Sequence, residues 1–346
     1  MTPNLPLHGG TDDGPWVVHD FSTNANPLGP PPALWRAVQQ ADRQRYPDPH
    51  YRALREQLAA AHAVPPEQIL PAAGGAEAIR RLTLAALLQG LREVWVPQPG
   101  FGDYAAAAEA LGLSVHCYTV WQELLHGRPA LIWLCQPCNP SGTRLDSAAL
   151  ARIAAAATAT AAGPSIVVID LAYEPLRLDG EAVALPPSCW QLHCPNKALG
   201  LTGVRAAYLV APAPDDTWAR LLTLAASWVL SAEGQALLMH WHDAATLDWL
   251  AESRAQLRVW SAQQRALLDG LGWRQRGSCT PFWLAQPPPQ SIEGLRAHGI
   301  KLRDAESFGL PGWMRIATLT PPAQQALLKA LTTLSTQTAI TQGFSK

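Results

Sequence analysis

The sequence predicts an α/β fold: a mostly parallel sheet of the seven-stranded type with helices on both faces, joined to a smaller α+β domain. Three observations indicate this fold class. Between residues 94 and 210, short apolar runs alternate with helical patterns, as in a sheet covered on both faces. From about 214 to 270 the patterns are those of long helices, and the tail returns to short strands and helices. The 346 residues are 48% hydrophobic, which allows a large core and excludes a mainly disordered chain.

The elements follow one another along three expected units. Residues 1–32 are rich in Pro, Gly and Asn and lack periodicity, so they are predicted to be extended. We expect an N-terminal arm over 1–40 that joins the small domain, a large domain over 41–235 and a small domain over 236–346. The patterns predict strands at 94–97, 114–120, 131–136, 165–170, 190–194, 204–210, 281–285 and 313–318, and helices at 33–44, 50–62, 76–88, 103–112, 147–161, 291–298 and 321–335.

Charge and composition exclude several classes of partner. The net charge is −1, which argues against nucleic acid or an anionic membrane as partner. There is no secretory signal pattern, and the longest apolar stretch, residues 221–232, is shorter than the ~20 residues of a membrane helix. Six cysteines in this length are not a disulfide scaffold, so a cytoplasmic location is expected. Cys135 and Cys138 form a C-x-x-C without a second pair, and we expect neither a metal site nor a redox role there.

Lysine is scarce, which limits the candidates for lysine chemistry to four residues. Lys197 lies just beyond a predicted strand, in a loop that leads to glycines. A lysine in that place can form a Schiff base with an aldehyde, and Arg205, eight residues later, could bind a phosphate. An exposed loop lysine with an unrelated arginine is an equally good interpretation.

Three further polar positions follow predicted strands or a glycine turn. Asp170 ends an apolar strand, where α/β proteins bind ligands, and Tyr173 follows it; a carboxylate there could pair with a pyridinium nitrogen or simply cap a turn. Asn139 lies in a turn between two prolines and could donate to a phenolate oxygen, or belong to an ordinary turn. Residues 72–79 place small residues before a helix start, where free N–H groups can hold a phosphate.

Taken together, the order and spacing of these residues resemble the fold type I pyridoxal-phosphate enzymes, the class I/II aminotransferase superfamily, from about residue 21 to 330. The resemblance implies pyridoxal phosphate as cofactor, bound by Lys197, and a homodimer. One departure is the segment Cys194-Pro195-Asn196 before the lysine, where the family usually has two serines that help to hold the phosphate. The resemblance implies that the cofactor phosphate is bound by the N–H groups of Gly75, Ala76 and Glu77 and by the side chains of Arg205, Cys194 and Asn196. It implies that Tyr104 stacks on the cofactor ring, that Asn139 and Tyr173 contact the ring hydroxyl, and that Asp170 pairs with the ring nitrogen. It also implies that Arg315 binds the substrate carboxylate and that Tyr46 contacts the cofactor phosphate of the partner subunit.

Two segments narrow the resemblance to one branch. The leading His-Gly-Gly (8–10) with residues 20–32, and the segment 301–331, resemble the threonine-phosphate decarboxylase family of cobalamin biosynthesis. This implies a phosphorylated amino-acid substrate, with His8, Asn26 and Arg303, beside Asn139 and Arg315, as candidates to bind it. The expected reaction converts L-threonine O-3-phosphate to (R)-1-amino-2-propanol O-2-phosphate, with Lys197, Asp170 and Tyr173 as catalytic residues. The alternatives are a class I/II aminotransferase, such as histidinol-phosphate aminotransferase, and an inactive homologue that binds the cofactor.

Overall fold

The computed structural model describes residues 8–160, 163–289, 292 and 294–343, with backbone only over 337–343. The first seven residues of the predicted arm and Lys346 lie outside the described residues. Among the helices described, none is both long enough and apolar enough to cross a bilayer.

The larger sheet of the described chain has seven strands, as expected, and only one of them runs against the others. Its spatial order is β2-β8-β7-β6-β5-β3-β4. Strand β8 pairs antiparallel with both β2 and β7, whereas the remaining neighbours pair parallel. The strands are β2 (Ile69–Ala72), β3 (Glu93–Pro97), β4 (Ser114–Tyr118), β5 (Leu131–Cys135), β6 (Ile166–Asp170), β7 (Trp190–His193) and β8 (Ala207–Val210).

The alternation of side chains in the central strands explains why both faces are covered. In β5, Leu131 and Trp133 belong to one apolar cluster, and Ile132 and Leu134 belong to another on the opposite face. Every residue of this strand is buried, because helices pack on both sides. The helices are α1 (Pro32–Gln39), α2 (Arg52–His62), α3 (Gly75–Leu88), α4 (Asp103–Glu109), α5 (Ser147–Thr158), α6 (Asp216–Leu224), α7 (Ala232–Met239), α8 (Ala244–Gly270) and α9 (Pro321–Gly343).

Side-chain caps set the start of several helices. Asp146 accepts a hydrogen bond from the N–H of Ala149 at 2.7 Å, and Asp215 accepts one from the N–H of Trp218 at 2.8 Å. Each satisfies an N–H group that has no partner within its helix. Helix α3 differs, because its N-cap is Gly74 and no side chain caps it. Its first N–H groups are therefore left for another acceptor.

A second, antiparallel sheet lies in the C-terminal part of the chain, and the N-terminal arm attaches beside it. Its order is β12-β13-β10-β9, and a separate parallel pair joins β1 of the arm to β11. The arm then continues along the sheet, since Phe21 accepts a backbone hydrogen bond from Ala317 at 3.0 Å. These strands are β1 (His19–Asp20), β9 (Arg274–Gln275), β10 (Phe282–Gln286), β11 (Ile300–Lys301), β12 (Arg303–Asp304) and β13 (Met314–Ala317).

Helix α8 connects the two apolar cores. Leu250 and Leu257 near its start and middle belong to the core of the large sheet, whereas Leu268 near its end belongs to the core of the small sheet. Its 27 residues correspond to about 40 Å of helix.

The order of the elements agrees with the sequence prediction, with three differences. The helix predicted at 291–298 is only a 3-10 turn over Leu295–His298, preceded by Gly294 in the left-handed region; residues 290, 291 and 293 lie outside the described part. Strand β2 was not predicted, since Pro71 and the alanines around it are poor strand formers. The two-residue strands of the arm and tail are too short for any periodicity. The predicted domain boundaries stay a prediction.

Candidate active site

A cavity of about 380 Å³ opens at the carboxyl ends of the central strands. Parallel strands bring their chain ends to the same edge of the sheet, so the residues that follow β5, β6 and β7 meet there. The start of α3 closes one end of the cavity, and strands β12 and β13 with the N-terminal arm close the other. Its lining includes His8, Asn24, Gly75, Ala76, Phe101, Asn139, Asp170, Tyr173, Cys194, Lys197, Thr202, Arg205, Arg303 and Arg315.

Lys197 faces the cavity from the loop that follows β7. Its backbone carbonyl accepts a hydrogen bond from the N–H of Asn26 at 2.9 Å, which ties the arm to this loop. Its Nζ lies 5.3 Å from the centre of the Tyr173 ring. Burial lowers the pKa of the Lys197 amine, but the acidic groups of Tyr173, Cys194 and Asp170 outweigh it, and the net pKa lies above the usual value. The amine is therefore charged at neutral pH, and it must lose a proton before it can attack an aldehyde.

Asp170 ends β6 with its carboxylate held by two donors. Tyr104 Oη donates to Oδ2 at 2.6 Å, and the N–H of Ala172 donates to Oδ1 at 2.9 Å. Burial raises the pKa of this carboxyl group, and the hydrogen bond from Tyr104 opposes the rise. The two bonds orient one carboxylate oxygen toward the cavity, where it can pair with a cation.

Tyr104 does not line the cavity, although it was predicted to stack on the cofactor ring. Its side chain is fully buried and stacks on Trp133 with ring centres 4.7 Å apart. Phe101, one turn earlier, lines the cavity instead and meets Tyr104 edge-on at 5.6 Å. Phe101 lies just before α4 and Tyr104 in its first turn, and spacing alone does not tell which of the two faces the ligand. The structure thus places Tyr104 behind Asp170 as its hydrogen-bond donor.

The start of α3 and Arg205 form the anion-binding end of the cavity. Gly75 and Ala76 line it with the uncapped first turn of the helix. Gly74 has φ +89°, a backbone conformation that favours glycine, and a Cβ there would lie 2.6 Å from Nη2 of Arg205, so the arginine would have to shift. The side chain of Glu77 pairs with Arg81 at 3.0 Å, which leaves only its N–H group for the predicted contact.

Cys194 and Asn196 take different places in this end. Cys194 lines the cavity, and its Sγ donates to Oδ1 of Asn196 at 3.3 Å. Asn196 itself does not line the cavity; it is buried, and its Nδ2 donates to the carbonyl of Thr202 at 3.5 Å. Thr202, which the sequence reasoning missed, lines the cavity next to Arg205 and offers a hydroxyl group in place of the family's usual serine.

Two arginines of the small sheet form a second anion-binding end. Arg315 in β13 is buried; its Nη1 donates to Oδ1 of Asn139 at 2.7 Å and its Nη2 to the carbonyl of Ser22. Burial lowers the pKa of Arg315 to about 10, so it still carries its charge at neutral pH. Arg303, opposite it in the β12–β13 register, donates to Oγ of Ser307 at 2.7 Å and lies over the ring of Phe308. Both guanidinium groups reach the cavity, as predicted from sequence.

The N-terminal arm supplies part of this second end. His8 lines the cavity, and its Nε2 lies 3.1 Å from Oδ1 of Asp103 at the start of α4. Gly9 packs against Ser22, further along the same arm. A Cβ at Gly9 would lie 1.9 Å from the carbonyl oxygen of Ser22 and 3.0 Å from Nη2 of Arg315. Only glycine lets the His-Gly-Gly segment lie against the arginine.

Asn24, which was not predicted, reaches the cavity, whereas Asn26 does not. The Nδ2 of Asn26 donates to the carbonyl of Ala198 at 3.1 Å, so this side chain fixes the lysine loop. Asn24 donates to the hydroxyl of Tyr173 at 3.4 Å, and its buried Oδ1 has no partner among the described residues. An unpartnered buried oxygen facing a cavity is a place for a ligand donor.

Tyr46 lies away from the cavity. It is 77% exposed and stacks on Trp228 with ring centres 4.3 Å apart. Within one chain it reaches no group of the site.

The described groups fit pyridoxal phosphate. The first turn of α3 with Arg205 and Thr202 suits its phosphate, Phe101 offers an aromatic face, and Asp170 suits a protonated ring nitrogen. Tyr173 and Asn139 could hold the ring hydroxyl, and Lys197 is the amine within the cavity that could bind the aldehyde. Arg315, Arg303 and Asn24 remain on the far side of that position for a substrate.

Comparisons with known proteins agree with this geometry. The family model for aminotransferase class I and II matches residues 17–331. A histidinol-phosphate aminotransferase of Halorubrum lacusprofundi is 32% identical over 319 residues, covering 87% of this chain and 84% of the relative. One from Symbiobacterium thermophilum is 29% identical over 335 residues, covering 91% and 90%.

Solved structures share the fold at lower identity. The L-threonine-O-3-phosphate decarboxylase of Porphyromonas gingivalis superimposes with a TM-score of 0.76 at 23% identity, covering 91% of this chain and 99% of that one. The histidinol-phosphate aminotransferase of Clostridium acetobutylicum gives 0.80 at 17%, covering 92% and 100%. That of Sinorhizobium meliloti, solved with pyridoxal-5'-phosphate, gives 0.72 at 22%, covering 91% and 90%. The chain belongs to the aminotransferase class I and II family, with the fold type I architecture and pyridoxal phosphate as cofactor.

Proposed function

We propose that this enzyme acts on a phosphorylated amino acid, and that its reaction is the decarboxylation of L-threonine O-3-phosphate to (R)-1-amino-2-propanol O-2-phosphate. One observation carries the choice of this substrate. The His-Gly-Gly segment of the arm lies in the cavity wall beside Arg315, so His8 adds a third cationic or donor group to the two arginines.

The number of anion-binding groups favours a substrate with two anionic ends. O-phosphothreonine carries a carboxylate and a phosphate, and Arg315 and Arg303 with His8 can bind both. Histidinol phosphate carries only the phosphate. The oxoacid acceptor of an aminotransferase also carries two carboxylates, so the arginines alone do not separate the reactions; the support for this substrate is the imidazole of His8, which joins the two arginines at this end of the cavity.

The residues of the chain have distinct tasks in this proposal. When bound, pyridoxal phosphate supplies an electron sink for the bond that is broken at the substrate Cα. Asp170, oriented by Tyr104, holds the proton on the ring nitrogen that makes the sink effective. Arg315 binds the substrate carboxylate until it leaves as carbon dioxide. Lys197 is the group within reach that can return a proton to Cα in its ammonium form and then displace the product as the free amine.

Amino transfer is the second candidate, and the curated relatives favour it. The relatives described above carry the name histidinol-phosphate aminotransferase, at up to 32% identity. The same site would serve, because the bond that breaks is the one held perpendicular to the cofactor ring. With Cα–H in that position, Lys197 removes the proton instead.

Product analysis separates these candidates. We expect the holoenzyme to release carbon dioxide and 1-amino-2-propanol phosphate from O-phosphothreonine without any oxoacid. Amino transfer from histidinol phosphate to 2-oxoglutarate without carbon dioxide release would replace the proposal by the second candidate. A chain that binds the cofactor but turns over neither substrate would be an inactive homologue.

We also propose a homodimer in which Tyr46 contributes to the partner subunit's site. The support is the exposed aromatic pair of Tyr46 and Trp228, which a second subunit would cover. Sedimentation should give twice the chain mass, and Tyr46→Phe should weaken cofactor affinity without changing the mass. A monomeric holoenzyme with full activity would contradict this arrangement.

A further inference from the structure

A second cavity, of about 210 Å³, lies behind the turn that carries Asn139. Cys135 at the end of β5 and Cys138 in the turn both line it, and neither lines the active-site cavity. Arg144 and Arg276 line the same space, and none of its described lining residues is an aspartate or glutamate. Two cysteines therefore share a small cavity that has no carboxylate in its described wall.

The two thiols differ in their surroundings. Cys135 is buried, and its Sγ donates to the carbonyl of Pro137 at 3.3 Å, whereas Cys138 is partly exposed, with its Sγ 3.6 Å from the carbonyl oxygen of Pro99. The interaction of the two side chains lowers the pKa of Cys138 and raises that of Cys135. Cys138, which is also the more accessible of the two, is thus the more reactive thiol, and Cys135 is its neighbour in the same cavity.

The sequence alone predicts no redox role for this pair, but from their shared cavity we propose that Cys135 and Cys138 are an oxidation site, at which a hydroperoxide converts the two thiols into a reversible disulfide beside the active site. The Cys138 thiolate attacks the outer peroxide oxygen, the O–O bond breaks, and the leaving oxygen takes a proton to become water or an alcohol. Cys138 is then a sulfenic acid. The Cys135 sulfur attacks it, the S–O bond breaks, and water leaves with the thiol proton. Two thiols are oxidised and one peroxide is reduced.

The turn between the cysteines connects this chemistry to the site. Cys135 is the β-sheet partner of Asp170, and Asn139, which follows Cys138, accepts the 2.7 Å hydrogen bond from Arg315. A disulfide needs its sulfurs about 2.05 Å apart, whereas each sulfur is now hydrogen-bonded to a different backbone carbonyl, Cys135 to that of Pro137 and Cys138 to that of Pro99. Closing it must move the turn, and Asn139 with it, away from Arg315.

The other cysteines offer a built-in comparison. Burial raises the pKa of Cys189 to about 12, and burial also raises the pKa of Cys117 and Cys279. These thiols are therefore protonated at neutral pH and react slowly. Cys194 lines the active-site cavity and could also react with peroxide. Its thiol donates a hydrogen bond to Asn196 and not to another cysteine.

The test uses the holoenzyme with a small excess of hydrogen peroxide, followed by thiol blocking and peptide mass analysis. We expect two thiols to be lost together, in one peptide that is lighter by two hydrogens and regains both with dithiothreitol. Cys138→Ser should abolish this change, Cys135→Ser should leave a sulfenic acid on Cys138, and the control Cys117→Ser should behave like the wild type. A peroxide product on Cys194 alone, or no loss of thiols at Cys135 and Cys138, would overturn the proposal.

The functional readout is reversible loss of activity on whichever substrate proves active. We expect the disulfide to lower kcat/KM about tenfold, the effect of one lost hydrogen bond to a charged group. Dithiothreitol should restore it, and Cys138→Ser should be insensitive to peroxide. A disulfide that forms without changing kcat/KM would overturn the link to the site. Because thiol mapping needs no turnover, a failure here is distinguishable from a wrong substrate.

Discussion

The two ends of the active-site cavity are built in different ways. At the cofactor end, Asp170 and Lys197 follow neighbouring strands of one sheet, and Gly75 begins a helix packed on it. At the substrate end, Arg303 and Arg315 come from the small sheet, and His8 comes from the arm. The comparison teaches that the residues proposed for the chemistry belong to one sheet and a helix packed on it, whereas the residues proposed for substrate binding come from three separate segments.

The largest expected effect comes from removing the amine at the cofactor end. Lys197→Ala should lower kcat by about 10³-fold or more, because no other described lysine lines the cavity. It should also abolish the visible absorption band that pyridoxal phosphate gives when it is bound to a lysine as a Schiff base. Spectra and steady-state rates measure both. The control Lys329→Ala, on α9, should leave both unchanged. A Lys197→Ala protein that keeps the band would break the assignment of this end.

At the substrate end, Arg315→Lys should lower kcat/KM by about 10²-fold while the absorption band stays. Lysine keeps the charge but loses the fork that binds a carboxylate while contacting Asn139 and Ser22. Arg303→Lys is the matched variant in the same strand pair. Comparing kcat/KM of each variant on the phosphorylated substrate and on the same substrate without its phosphate would then show which arginine binds the carboxylate and which binds the phosphate. Equal losses of cofactor affinity in both variants would contradict the division into two ends.

A smaller effect is expected at the arm. His8→Ala should raise KM about tenfold for the phosphorylated substrate and leave kcat within about twofold, since His8 is half-exposed at the cavity edge. His50→Ala, an exposed histidine in a loop, is the control. The same KM for the two proteins would show that the arm is not part of the substrate end.

The smallest expected effect is a dependence of the free energy of unfolding on pH. His62, His193 and His242 surround Tyr208, whose hydroxyl lies 2.8 Å from Nε2 of His62. Burial lowers the pKa of His62 to about 4, below the ~6.5 of an unfolded histidine. Between pH 6.5 and 4 the unfolded chain therefore binds a proton that the folded chain does not.

The free energy of unfolding should accordingly be highest above pH 6.5 and fall on acidification, levelling off below pH 4. For His62 alone we expect about 1–2 kcal/mol, after an allowance for its partial exposure. Denaturant titrations at several pH values measure it, and His62→Gln should flatten the slope. An unchanged slope in the variant would place the acid sensitivity elsewhere.

The sequence predicts the cofactor end better than the substrate end, for a physical reason. Strand ends are visible in the periodicity, and a polar residue at or shortly after the end of a buried strand has little choice of place, which is why the sequence could place Asp170 and Lys197 at the cavity. From the sequence, Tyr104 is expected at the cofactor ring and Phe101 has no assigned role, whereas the structure places Phe101 at the cavity and Tyr104 against Trp133, a choice that only packing decides.

The arm shows the same limit. Asn24 and Asn26 are two residues apart in an irregular segment, where no periodicity tells which side chain faces the ligand. The structure turns Asn24 inward and uses Asn26 to hold the backbone at Ala198. Thr202 was missed for a similar reason, since it reaches the cavity through a loop.

Helix α8 has a consequence for how such a chain can be divided or recombined. Because one helix contributes Leu257 to the first core and Leu268 to the second, a cut on either side of it leaves an apolar stripe in water. The halves are therefore not interchangeable modules. A chimera that joins the cofactor half of one relative to the substrate half of another should inherit this helix, with the contacts of both its ends, from a single parent.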